Sequence, residues 1–331
     1  MESFALKLEP TGLPRVAASR YGQPRVTPSA LPRLSLWLAV VILLVGSVRA
    51  TEKGATVFPV LTELQPHPGQ TVIYNYNCFY AADEMDGANG KKLPIDFHVR
   101  VMATEFKIAH NWGLRFLGGT VDSQVAVPLI YQQLHAPQAG SAFRHTKYSI
   151  SNVDLIPFSV TYNNGIAHWY YEVDMYAPAG GFSKTDQLNI GLHNMAIGPV
   201  AGITLLPNKG KTQISSLVTY IVNGYDNATH YHSGNEFFTE FSVYQSLTKR
   251  VAAGVNGAIY RQTTDDYQYG ARVGDGFRGR DLQIGPQLRF LIGRRGGIAF
   301  KYSRDTLVQN KPRGNAFWFQ LGLAFPPLSK H

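Results

Sequence analysis

Titratable side chains in this chain recur at every second residue, and the stretch 167–176 displays the pattern most clearly. His168, Glu172 and Asp174 share one register, while large apolar residues such as Trp169 occupy the other. Alternate residues of a β-strand point to opposite faces, so this stretch predicts a strand with one polar and one apolar face. A charged face of this kind can line a water-filled passage and act on the charge of a solute.

The same spacing selects further candidates for a charged lining. Opposed acidic and basic walls would produce a transverse field that favours small polar or amphipathic solutes. The alternative is that the charges pair with one another and hold a wet interior together; for a single residue this is the more common arrangement, because buried charges normally have partners. The candidates from the other stretches are His98, Arg100, Glu236, Glu240 and Arg289.

Other chemistry is poorly supported by the residues. His230 and His232 could share a metal, but no further ligand has a suitable spacing, and an exposed loop is the simpler interpretation. Gly-x-Ser-x-Gly is absent, and no spacing assembles a Ser-His-Asp set for a lipolytic barrel. The lone Cys78 reads as a small apolar residue. We therefore expect no catalytic residue, metal or cofactor, and we keep a lipolytic enzyme only as a lesser alternative.

The elements that must position these residues are strands. Residues 70–325 divide into twelve candidates, and short turns alternate with longer segments such as 178–190 and 264–276. Several candidates have ten or more residues, close to the length that crosses a bilayer at a tilt, whereas a secreted β-sandwich would have shorter strands. The expected fold is an all-β, transmembrane, antiparallel up-and-down β-barrel. The candidate strands are 70–81, 93–109, 113–134, 144–163, 165–177, 191–207, 211–223, 235–248, 250–263, 277–293, 296–307 and 315–325.

Composition agrees with a barrel wall and argues against a nucleic-acid partner. Charged residues make up 16% of the chain and aromatic residues 12%, against about 25% charged in an ordinary soluble domain. The net charge is +9, but the basic residues are scattered, whereas nucleic-acid binding needs a clustered basic face.

The N-terminal region predicts export. The apolar run 34–46 is followed by Val48-Arg49-Ala50, so we expect a signal peptide over 1–50 with cleavage after Ala50. Its leading segment is long, and one hypothesis places the true start codon near Val26. Residues 51–69 could plug the lumen or form a periplasmic tail, and residues 326–331 form a tail after Phe325. The expected location is the outer membrane, with its lipids and the barrel-assembly machinery as partners.

At this point the chain resembles a known family. The blocks that carry the resemblance lie between about residues 66 and 325, and they match the outer-membrane family involved in the meta-pathway of phenol degradation. The resemblance implies a channel for uptake of small aromatic or hydrophobic compounds linked to their catabolism, and it supplies no agreed site residues. A structural barrel without transport remains the alternative. The matching blocks are Phe116–Pro128, Met175–Phe182, Asn227–Phe237, Gln262–Asp266 and Gly285–Gln287.

Overall fold

The structure, a computed structural model, describes residues 5–6, 66–136, 144–186, 188–293 and 296–326. Apart from the backbone of Ala5–Leu6, the predicted signal peptide lies outside the described residues. So do residues 51–65 of the predicted plug and the tail after Pro326. These three predictions stay predictions.

The described residues form strands and one short 3-10 helix at Asn208–Gly210. No helix in the described ranges is long and apolar enough to cross a bilayer. The strands are β1 (Ala5–Leu6), β2 (Thr71–Met85), β3 (His98–Phe116), β4 (Gly119–His135), β5 (Arg144–Ile150), β6 (Val153–Asn163), β7 (Ala167–Ala177), β8 (Leu188–Asn189), β9 (Ala196–Leu205), β10 (Thr212–Asn223), β11 (Tyr225–Asp226), β12 (Tyr231–His232), β13 (Glu236–Ser246), β14 (Val251–Gln262), β15 (Tyr267–Gln268), β16 (Ala271–Arg272), β17 (Arg280–Ile292), β18 (Gly296–Gln309) and β19 (Pro312–Phe325).

Thirteen of these strands form one closed antiparallel sheet. β5 and β6 are the two halves of a single wall strand, interrupted at Ser151–Asn152, and both pair with β4. Counting them as one gives twelve wall strands, and the barrel closes where β19 pairs with β2. Closure satisfies every strand edge, which is what a sheet in lipid requires. The predicted twelve-stranded up-and-down barrel is confirmed.

The two ends of the barrel differ. At one end the strands are joined by tight turns such as 164–166, where the Asn163 side chain accepts a hydrogen bond from the Gly165 amide at 2.6 Å and Gly165 has φ +86°. At the other end, loops as long as 178–195 and 263–279 connect the strands. Strands β11, β12, β15 and β16 pair into a small sheet within the long loops. Long loops face the exterior in bacterial outer-membrane barrels, so we take this end as the outer end.

Alternation along each strand separates an apolar outer face from a mixed inner face. In β7, residues Tyr170, Glu172 and Asp174 are buried inside, whereas Tyr171 is 57% exposed on the outside. The exposed apolar side chains continue around the wall as a belt, which suits contact with lipid acyl chains and not with water. Members of the belt include Ile73, Phe79, Met102, Phe106, Ile108, Val218, Val243, Val255, Ile259, Ile284, Leu288, Phe290, Phe300, Phe317 and Leu323.

Candidate transport pathway inside the barrel

The outer half of the barrel interior contains an apolar cluster. Strands β2 to β4 direct every second residue inward there, and these include Val99, Val101 and Ile130. Two outer loops fold into the same space: residues 86–97 contribute Phe97, and the 178–195 loop contributes Leu188 and Ile190. The complete cluster consists of Cys78, Tyr80, Ala82, Met85, Phe97, Val99, Val101, Ile130, Leu134, Ala136, Leu188, Ile190, Ala316 and Trp318.

Polar groups without partners lie in and beside this apolar cluster. Trp318 is 5% exposed, and its indole N–H has no hydrogen-bond partner among the residues that the structure describes. Two residues further along β19, both amide atoms of Gln320 are also unpartnered within the described ranges. Because an unpaired buried polar group costs about 1–3 kcal/mol, such groups are candidates for ligand contacts.

A paired polar network borders the cluster on the β17–β19 side. The Tyr80 hydroxyl donates to Asp305 Oδ2 at 2.6 Å, and the Gly314 amide donates to the same oxygen at 2.8 Å. Lys311 Nζ lies 2.5 Å from Asp281 Oδ2 and 4.0 Å from the ring centroid of Tyr260. These charges have partners, so they stabilise the wall and are less available to a solute than Trp318.

The inner half of the lumen, towards the short turns, holds a cavity of about 380 Å³ lined by both polar and apolar side chains. His168 lines it together with Lys107 and Tyr170. Pro66 to Pro68 also border this cavity, and the Asn111 side chain donates to the Pro66 carbonyl at 3.1 Å. The described end of the predicted plug segment thus lies against the inner chamber.

Charged side chains of both signs line this inner chamber, because Asp122 and Glu172 border it together with Lys107 and Arg115. The Gln124 amide donates to Asp122 Oδ1 at 2.9 Å and to Glu172 Oε2 at 3.1 Å, which links strands β4 and β7. Lys107 is inserted among the carboxylates and interacts electrostatically with each of them. The carboxylates are Glu105, Asp122, Asp154, Glu172 and Asp174.

The remaining inward candidates lie on the opposite wall. Glu236 accepts a hydrogen bond from the Asn223 side chain at 2.8 Å. Arg289 donates to Gln213 Oε1 at 2.8 Å, and its guanidinium lies 4.7 Å from the Tyr244 ring centroid. Glu240 interacts electrostatically with Lys301. Glu236 and Arg289 therefore have structural partners, and their action on a solute stays a proposal.

His98 and Arg100 do not face the lumen, so the orientation that the sequence predicts for them is wrong. Their inward neighbours are Val99 and Val101, so both side chains lie on the outer wall near its outer rim. There Arg100 Nη2 contacts Asp83 Oδ1 at 2.6 Å. The hydrogen bond between His98 and Asp83 lowers the pKa of that carboxyl, and the bond from Arg100 adds to the effect.

The sequence contained a signal for the correct orientation. Met102, Phe106 and Ile108 share the register of His98 and Arg100, and all three are in the lipid-facing belt. The other register of β3 carries Glu105 and Lys107. Extending the alternation along the whole strand would have found the inner-chamber lysine and excluded the two rim residues.

The two loop histidines remain at the surface. His230 lies beside the Tyr269 ring at 4.8 Å between centroids, and His232 Nε2 is 2.9 Å from the Asn223 carbonyl oxygen. Within the described ranges, no group of three or more His, Cys, Asp or Glu side chains could hold a metal ion.

Comparison with known proteins places the chain in a family. The family described as "Putative MetA-pathway of phenol degradation" matches residues 82–321. The chain belongs to this family. The match spans nearly the whole closed sheet, from the outer part of β2 into β19. No curated protein matches the chain.

One solved structure shares the architecture of this family member. An outer membrane channel from Pseudomonas putida F1 superposes with a TM-score of 0.70 at 13% identity, covering 83% of this chain and 100% of that one. The NanC porin has a TM-score of 0.41 at 9% identity and covers 76% and 98%. The CymD monoaromatic hydrocarbon channel has a TM-score of 0.40 at 6% identity and covers 84% and 96%. At this identity the first superposition establishes the fold alone.

Proposed function

We propose that this protein is an outer membrane channel that passes small, neutral aromatic compounds. The apolar belt of the outer wall and the membership of the phenol-degradation family support this function. The observation that carries it is the apolar cluster of the outer half, which contains the unpartnered indole N–H of Trp318. An aromatic ring fits apolar and aromatic side chains, and a ring hydroxyl can accept a hydrogen bond from the indole.

The inner chamber supplies selection by charge. The five carboxylates around Lys107 outnumber the two cations that border the chamber, Lys107 and Arg115, so an aromatic carboxylate is disfavoured by the formal excess of negative charge. A phenol resembles the tyrosine side chain, whose pKa is about 10, and is therefore neutral at pH 7. The proposed order is capture of a neutral ring in the apolar cluster, followed by passage through the inner chamber.

The 178–195 loop supplies a gate in this proposal. Leu188 and Ile190 fill part of the apolar cluster, so a ring of similar size has to displace them. Two parts of the loop also pack backbone against backbone at Gly180 and Gly191. A Cβ added to Gly191 would lie only 2.6 Å from the carbonyl carbon of Gly180. A structural barrel without transport is the second candidate, and the docked loop is the observation that favours it.

The test is uptake into proteoliposomes that contain the purified barrel. Phenol is compared with toluene, benzoate and a monosaccharide, using the wild type, Trp318→Phe and the control Trp112→Phe. Trp112 is a suitable control because it lies on the outer wall and its indole N–H already donates to Ser123 Oγ at 2.9 Å.

We expect the wild type to take up phenol and toluene faster than benzoate or the sugar. Trp318→Phe removes one hydrogen bond of about 1 kcal/mol, so phenol uptake should fall about fivefold while toluene uptake is unchanged. Equal uptake of all four solutes, or none, would contradict the proposal. Absence of uptake even after the gate is destabilised would support the structural barrel.

A further inference from the structure

Three exposed arginines form a basic patch on the outer wall, with Arg261 and Arg280 at its upper edge and Arg304 four residues lower, opposite Ile284. Arg261 on β14, Arg280 on β17 and Arg304 on β18 are all exposed, and they occupy three consecutive wall strands. Their inward neighbours on the same strands are Gln262, Asp281 and Asp305, which are buried. Alternation therefore directs all three guanidinium groups away from the lumen.

The patch concentrates positive charge where the sheet itself disfavours it. Arg261 and Arg280 are directly opposite each other in the β14–β17 register. Like charges at directly opposed positions destabilise a strand pair. No carboxylate within the described residues forms an ion pair with any of the three arginines. The acidic groups nearest in sequence to Arg280 and Arg304 point inward, since Asp281 and Asp305 lie in the buried network around Lys311 and Tyr80.

The surroundings of the patch have the character of a membrane interface. Below Arg261 on the outer face of β14 are Ile259 and Val255, and Arg261 is opposite Phe237 on β13. Arg304 is opposite Ile284 on one side and Asn315 on the other, and Tyr302 lies one outward position below it. Aromatic residues mark the level of the head groups in transmembrane barrels, and arginine is tolerated there far better than at the bilayer centre.

We propose that Arg261, Arg280 and Arg304 form a binding site for the phosphate groups of a phosphorylated lipid in the outer leaflet. Guanidinium groups bind phosphate through paired charge-assisted hydrogen bonds, and a phosphate between two facing arginines offsets their mutual repulsion. The apolar residues directly below the patch contact the acyl chains of the same molecule. A lipid satisfies both surfaces at once, whereas a soluble phosphate would satisfy only the arginines.

The site is independent of the proposed transport function, because it is on the outside of the wall. Its loss changes lipid binding and leaves the lumen intact. The lipid site and the aromatic channel can therefore be tested independently. Solute uptake by the variants below should equal that of the wild type.

The test is native mass spectrometry of the full-length barrel in detergent with bisphosphorylated lipid A as the probe. The variant R261Q/R280Q/R304Q removes the patch, and K211Q/K249Q/R250Q is the control, since these exposed basic residues are at the short turns of the opposite end. Both triple variants change the net charge by the same amount. The Lys variant R261K/R280K/R304K preserves charge but removes the planar fork of donors.

We expect the wild type and the control to retain lipid A equally, and the Gln variant to bind at least about tenfold more weakly. The Lys variant should bind at an intermediate level, and it provides the test if the Gln variant fails to fold, as judged by heat-dependent gel mobility. Equal retention by the wild type and the folded patch variant would overturn the proposal. Equal retention of fully dephosphorylated lipid A would show that phosphate is not recognised. Displacement of lipid A by an equal concentration of inorganic pyrophosphate would show that the patch binds a soluble anion, and it would overturn the proposal that the ligand is a lipid.

Discussion

Removing the two apolar anchors of the 178–195 loop should open the channel. Leu188 is 0% exposed and Ile190 is 4% exposed, and both belong to the apolar cluster of the outer half. Replacing both with Ala removes six buried hydrocarbon groups. At about 0.8 kcal/mol for each group, the docked loop loses about 5 kcal/mol relative to the undocked loop. Every 1.4 kcal/mol is a tenfold change, so the undocked fraction should rise by about three orders of magnitude, up to saturation.

Single-channel recording in planar bilayers measures this change directly. The wild type should be closed for most of the record, and L188A/I190A should be open for most of it. Met195→Ala is the matched control, because Met195 is in the same loop but is 55% exposed, and it should behave as the wild type. Gly191→Ala should reproduce the open phenotype by a different route, since its new Cβ meets the backbone of Gly180 at 2.6 Å. An L188A/I190A barrel that folds normally and opens no more often than the wild type would refute the gate.

Three further predictions concern charge. Lys107→Met removes one of the two cations that line the inner chamber. A single charge about 7 Å from an ion in a wet pore is worth about 0.6 kcal/mol, so the cation-to-anion permeability ratio should rise several-fold in reversal-potential measurements. Lys209→Met on an exposed turn should leave the ratio unchanged. The double variant E172Q/D174N reduces the negative charge around the same chamber. In proteoliposomes it should raise uptake of benzoate about threefold or more and leave uptake of phenol unchanged. An unchanged benzoate rate would argue against selection by charge. Asp83, at the outer rim above the apolar belt, has a pKa lowered first by its hydrogen bond with His98 and then by Arg100. Its contribution to stability is present above its unfolded pKa of about 3.9 and is lost as the pH falls through the lowered folded value. The wild type should therefore be more stable than Asp83→Asn in thermal unfolding except in acid, and by less than about 1 kcal/mol because the pair is exposed.

The strands of the wall could be predicted because each has a clean two-residue period. In β7 the inward residues Glu172 and Asp174 alternate with outward residues such as Trp169. Both the strand and its inner face therefore follow from local sequence. In β3 the polar and apolar residues exchange faces near Ala103, so the local pattern around His98 and Arg100 predicts the wrong face. The local pattern is ambiguous there, whereas the longer lipid-facing register decides the orientation.

The apolar cluster in the outer half could not be predicted from period alone. It depends on Leu188 and Ile190, which come from a loop and meet residues of β3 and β4 that are distant in the chain. The unpartnered N–H of Trp318, found within the described residues, could not be predicted either. The sequence places Trp318 on the face opposite to Phe317 and Phe319, but it does not show which polar groups lie within hydrogen-bond distance. Long-range packing, and not local propensity, determines both features.

The central claim is that a neutral aromatic solute binds inside the barrel at the apolar cluster beside Trp318. The most direct measurement is a crystal structure with 4-bromophenol, in which anomalous scattering locates the bromine atom. We predict a peak within the interior cluster, with the phenol oxygen within hydrogen-bond distance of Trp318 Nε1, and loss of that oxygen contact in Trp318→Phe. Bromine bound only on the lipid-facing wall or only in the inner chamber would contradict the account.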